Sequence, residues 1–126
     1  MQNLEQIRAA SAWQTGRDET AGGKQNGEVI KKIPPMIQNH GFLAAAAYAY
    51  DDGNRGWRVA FDAIARHLAD TRIGILPREK DDTAKMIEFL TIGEGATSLN
   101  LKNATAEALA WLGYARRFIK KGDNHS

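Results

Sequence analysis

The densest concentration of chemically capable side chains in this sequence is cationic. Lys31 and Lys32 stand together, and Arg116, Arg117, Lys120 and Lys121 crowd the C-terminal end. Arg116 with Lys120 and Arg117 with Lys121 are four residues apart, so on a helix they stack like charges at a cost of about 0.2–0.5 kcal/mol per pair. A phosphate backbone would neutralise that repulsion. Cations at a helix C-terminus also complement its dipole without any ligand, and the residues fit both readings. Lys31 and Lys32 lie beside the apolar stripe of Ile30, Ile33 and Ile37, so at least one of them projects into solvent.

Other chemistries find no residue set. His40, His67 and His125 are nowhere four residues apart and form no HExxH or HxH pattern, so no metal site is expected from them. His40 sits just before Gly41, where a cation suits a helix end. The pairs Asp51–Asp52 and Asp81–Asp82 fall where a turn or a helix N-terminus favours aspartate. Gly22, Gly23 and Lys24 suggest a phosphate loop, but Asp18 occupies the place of its leading glycine and Gln25 that of its hydroxyl residue. Ser11, Ser98 and Ser126 lack a GxSxG or SxxK context. The absence of cysteine removes thiol nucleophiles, disulfides and zinc ribbons. The expectation is a chain that is not an enzyme and takes no cofactor or metal.

A length of 126 residues and a net charge of +2 suit one domain that tolerates a polyanionic partner without demanding one. No apolar run approaches the ~18 residues of a membrane span. Met1 to Gln14 mixes Glu5 and Arg8 into a pattern unlike a signal peptide, so a soluble cytoplasmic protein with no membrane partner is expected.

The elements that must position the cations are helices. Alanine is abundant and no stretch alternates apolar with polar over strand length, which predicts an all-α fold: a single compact helical bundle of about five to six helices over 1–126. Asn3 with Gln6 predicts a capping box before a helix over Leu4 to Thr15, with Leu4, Ile7 and Ser11 or Ala10 on one face. Residues 16–27, holding Gly16, Gly22, Gly23 and Gly27 and no large apolar side chain, read as a mobile loop. A second helix from Gly27 to Gly41 should be kinked or broken by Pro34 and Pro35. Phe42 to Tyr50 reads as a short central helix packed on several sides, and Asp51 to Gly56 as a turn. Trp57 to Ala69 follows, and then a connector over Ile73 to Arg78. A helix capped by Asp81 or Asp82 carries Met86, Phe89 and Leu90 to Gly93 and Gly95. The longest helix, Ser98 to Lys121, repeats apolar residues at spacings of three and four, with a disordered tail over 122–126.

Three blocks of this pattern resemble the small subunit of the Cmr complex, the type III-B CRISPR effector that cleaves RNA complementary to its guide. The first is Leu4, Glu5, Ile7, Arg8 and Ala9. The second is Lys31, Lys32, Ile33, Pro34 or Pro35, Ile37, Asn39, Gly41 and Leu43, with the alanine-rich stretch behind it. The third is Ala104, Thr105, Glu107, Ala108, Leu109, Trp111, Leu112, Arg117 and Phe118. Ile119, where alanine is commoner, and the glycine-rich 16–27 segment depart from the family pattern. The resemblance implies a non-catalytic subunit that stacks with further copies of itself and binds target and guide RNA beside the other Cmr subunits, in antiviral defence. Lys31, Lys32, Arg116, Arg117, Lys120 and Lys121 are the RNA-facing candidates. The related type III-A (Csm) small subunit, or a helical adaptor without RNA binding, are the competing readings. Within the matched blocks, Ala108, Leu112 and Ala115 should be core, and Thr105 and Glu107 can hydrogen-bond across the bundle.

Overall fold

The computed structural model describes residues 2–17, 26–51 and 54–118. Among the described residues there are six helices and no strand: α1 Leu4–Arg17, α2 Asn26–His40, α3 Phe42–Tyr50, α4 Arg55–Ala69, α5 Thr83–Thr91 and α6 Ser98–Phe118. The all-α expectation is met.

The capping box of α1 forms as predicted. Asn3 Oδ1 accepts from the Gln6 amide at 2.9 Å, and Gln6 Oε1 accepts from the Asn3 amide at 2.9 Å. The helix runs on to Arg17, two residues past its expected end, because Gly16 is not a loop residue here. A Cβ at Gly16 would meet the Phe118 carbonyl oxygen at 2.7 Å, so glycine allows the backbones of α1 and α6 to approach closely. The expected face of α1 needs correction: Ile7 and Ala12 are the buried residues, while Leu4 and Trp13 are half exposed. The rest of the expected 16–27 loop, residues 18–25, and the expected tail over 122–126 lie outside the described residues.

Pro34 and Pro35 do not break α2, which continues through both to His40. Their missing N–H groups deprive the Ile30 and Lys31 carbonyls of helical donors, at a cost of about 3 kcal/mol for an interior proline. Val29, Ile30, Ile33 and Ile37 are all buried on the same helix, and each buried side chain of this size stabilises by roughly 1.5–3 kcal/mol. Core burial therefore outweighs the two breaks. Gly41, at φ 97°, turns the chain from α2 directly into α3.

In α3, Phe42, Ala45, Ala46 and Ala49 are buried and Tyr48 and Tyr50 are exposed, so one face packs rather than several. Its C-terminal carbonyls are claimed by the next helix. Arg58 donates to the Tyr50 carbonyl at 2.6 Å and lies over the Tyr50 ring, and Asn54 Nδ2 donates to the Tyr48 carbonyl at 2.8 Å. The N-terminus of α5 is held twice. Asp82 accepts from the Lys85 amide, while Asp62 of α4 accepts from both the amide and the hydroxyl of buried Thr83, at 2.8 and 2.6 Å.

Helix α6 is the spine. Ala104, Ala108, Trp111, Leu112 and Ala115 are fully buried, and α1, α2 and α4 pack against it. Leu101 is only partly buried at the edge of the core. The small alanines let neighbouring helices approach, and Trp111 fills the space between α1 and α4.

Candidate functional site

Two sets of charged residues are built on this scaffold, one inside it and one outside. The inner set is organised around Glu107, which α6 carries between the fully buried Ala104, Ala108 and Trp111. A carboxylate there needs partners, because an unpaired buried charge costs several kcal/mol. Arg8 of α1 supplies a fork: its Nε donates to Glu107 Oε2 at 2.9 Å and its NH2 to Oε1 at 2.7 Å. His67 of α4, itself buried, donates from Nε2 to Oε2 at 2.8 Å. Its Nδ1 lies 3.0 Å from Ser11 Oγ, and the Trp111 indole N–H donates to that same oxygen at 3.1 Å.

One assignment of protons satisfies every member. The indole donates to Ser11, the Ser11 hydroxyl donates to His67 Nδ1, and His67 Nε2–H donates to the carboxylate. This assignment requires a neutral imidazole. Burial pushes the His67 pKa below its ordinary 6.5 in spite of the Glu107 hydrogen bond. Burial also opposes ionisation of Glu107, but the hydrogen bonds from Arg8 and His67 outweigh it and hold the carboxyl below its usual range. The Glu107 hydrogen bond raises the already high pKa of Arg8. The network ties α1, α4 and α6 at one point. Ser11, His67 and Glu107 have the residue types of a hydrolytic triad, yet Ser11 Oγ is occupied by the indole and the Glu107 charge is neutralised by Arg8. The set positions helices.

Thr105 does not share this work, for its hydroxyl donates to the Leu101 carbonyl of its own helix at 2.7 Å. Among the described residues no group of three or more metal-ligating side chains converges.

The outer set contains the predicted cations. Lys31 and Lys32 are exposed on α2, and Arg116 and Arg117 are exposed in the last turn of α6. Both lysines, and not merely one, face solvent, because Ile30 and Ile33 take the core positions on either side of them. None of the four enters an ion pair among the described residues. Helices α2 and α6 pack against each other, so the two clusters sit on adjoining elements. Lys120 and Lys121 lie outside the described residues. Beside Arg117, Phe118 meets the half-exposed Trp13 ring edge-on at 5.3 Å, which fixes the end of α6 against α1. Among the described residues no helix is long and apolar enough to cross a membrane.

Sequence reasoning missed the Arg8–Glu107–His67 network as a unit, though it marked Glu107 for a bond across the bundle. A usable signal existed. Glu107 and His67 both fall in the apolar stripes of their helices, where a polar residue must find partners.

The model of the family CRISPR-associated protein (Cas_Cmr5) matches residues 4–121. No curated protein and no solved structure matches the chain.

Proposed function

Because the chain belongs to the Cas_Cmr5 family of CRISPR-associated proteins, the small subunits of type III-B Cmr effectors, we propose that it is a non-catalytic RNA-binding subunit that stacks with further copies along the target and guide RNA. Membership in the Cmr family answers the competing type III-A reading and implies association with other Cmr subunits. The observation that carries the RNA reading is the contrast in pairing. The protein neutralises Arg8 internally, yet leaves Lys31, Lys32, Arg116 and Arg117 exposed and without an ion pair among the described residues.

Such cations suit a phosphate backbone, which rewards charge without reading sequence. Base pairing to the guide then does the reading, and this subunit positions the strand. Among the described residues the set nearest to acid–base chemistry, Ser11, His67 and Glu107, is committed to holding helices together. Arg117 is the leading single contact, since a guanidinium grips phosphate with two parallel hydrogen bonds. Lys120 and Lys121 extend the same cluster in sequence.

The test is fluorescence anisotropy with two labelled single-stranded RNAs of unrelated sequence across a range of salt. Both should bind alike, and Arg117→Ala should weaken them equally and reduce the log–log salt slope by about 0.7. Unchanged affinity and slope would remove Arg117 from the interface. Lost assembly with intact RNA binding would assign it instead to a neighbouring subunit's carboxylate.

A further inference from the structure

Between α1 and α4 lies an open cleft of about 450 Å³ that the outer cations do not line. Helix α1 contributes Ser11 and Gln14, α4 contributes Arg66 and His67, and the turn that follows brings Asp70 and Arg72. Its polar groups are committed unequally. The one carboxylate, Asp70, is already claimed: Oδ1 accepts from the Arg72 amide and Nε at 2.9 and 3.1 Å, and Oδ2 accepts from NH2 at 2.8 Å. Arg72 NH1 donates to Gln2 Oε1 at 2.8 Å, which fixes the guanidinium plane and leaves one N–H on each terminal nitrogen open. Arg66 is exposed and has no ion pair or hydrogen-bond partner through its side chain among the described residues. His67 is committed at both nitrogens to the inner network, and so contributes no competing acceptor.

The cleft thus has open cationic donors along its α4 side, from the helix and from the turn after it, and a carboxylate already paired with Arg72. We propose that it binds a phosphate group, with Arg66 and the open edge of Arg72 as its cationic partners and the space toward Gln14 taking an attached nucleoside. A tetrahedral anion with several oxygens matches two guanidinium groups better than a single carboxylate does. The volume falls within the range of small-ligand sites, roughly 300–1,000 Å³. The phosphate can come from a free mononucleotide or from one nucleotide of an RNA strand. The strand-borne form rests on the RNA-binding reading above, whereas the free form does not.

The experiment is an NMR titration of the isotope-labelled full chain with adenosine monophosphate, with adenosine, and with an eight-nucleotide oligouridylate. Adenosine monophosphate or the oligonucleotide should shift the side-chain signals of Arg66, Arg72 and Gln14, and adenosine should not. Arg66→Ala, an exposed change, should weaken that binding about tenfold or more, with Arg66→Lys intermediate. The fourfold variant Lys31→Ala, Lys32→Ala, Arg116→Ala, Arg117→Ala should leave the cleft's affinity for adenosine monophosphate unchanged. Shifts with the mononucleotide alone identify a free nucleotide, and shifts with the oligonucleotide alone identify a strand. Absence of cleft shifts with both at millimolar concentration, or shifts that survive Arg66→Ala, would overturn the proposal. Oligonucleotide shifts confined to Lys31, Lys32, Arg116 and Arg117 would sink the cleft and spare the RNA reading. Cleft binding of the mononucleotide with no oligonucleotide binding anywhere would do the reverse.

Discussion

Arg8 and Arg117 carry the same cation and meet α6 in opposite ways. Arg8 reaches inward to a buried carboxylate and is held by two hydrogen bonds, while Arg117 stands exposed on the last turn with no partner among the described residues. The difference is one of desolvation. A carboxylate on the apolar face of α6 must be paired for the bundle to close, so Arg8, His67 and Glu107 are tied to stability. A surface cation has no such obligation, and its charge remains available to a polyanion. The two sets therefore answer to different perturbations.

Removing the inner acid should have the largest effect. Glu107→Ala strands the Arg8 guanidinium and the His67 N–H and should cost about 3 kcal/mol in urea unfolding. Adding Arg8→Ala should recover part of that loss, and a strictly additive double-mutant cycle would show that the network is not coupled. At the α4–α5 contact, Asp62→Ala removes both bonds to Thr83 and should cost about 1–2 kcal/mol. Acid should weaken the inner set through two of its members. His67 is held below its ordinary 6.5, so the unfolded chain takes up that proton first, and stability is full above pH 6.5 and declines below it. Glu107 is also held below its ordinary 4.5, so its contribution is present above that value and is lost as pH falls through the folded one. Unfolding midpoints measured from pH 7.5 down to 4 should therefore fall, with the decline beginning near 6.5, and His67→Gln, which removes the titrating group, should flatten the profile. Smallest of all, Arg117→Ala should change stability by less than about 0.5 kcal/mol.

Local signals were legible in the sequence and long-range ones were not. The Asn3–Gln6 box, the Asp82 cap and the Gly41 turn each depend on a few neighbouring residues, and each forms where its chemistry places it. The prolines of α2 misled because their cost is local while the burial of Ile30, Ile33 and Ile37 that outweighs it is tertiary. Glu107 could be marked as a residue in need of a partner, but Arg8 lies 99 residues away and His67 lies 40, and no spacing rule links them. The cleft beside Arg66 had no sequence signature, because it is made by two helices that are neighbours only in the folded chain. Exposure of Lys31 and Lys32 was half legible from the isoleucine stripe, and exposure of Arg116 and Arg117 followed from their place at the end of α6.

The outer cations serve RNA in this proposal, while the inner ones serve the fold. The most direct test of that division is the salt dependence of single-stranded RNA binding by the fourfold variant Lys31→Ala, Lys32→Ala, Arg116→Ala, Arg117→Ala, beside its unfolding curve. Each phosphate contact adds about 0.7 to the log–log slope. With all four cations in contact the slope should fall by up to about 3, evenly across RNA sequences, while the unfolding midpoint stays at the wild-type value. A slope unchanged from wild type in a fully folded variant would contradict the claim.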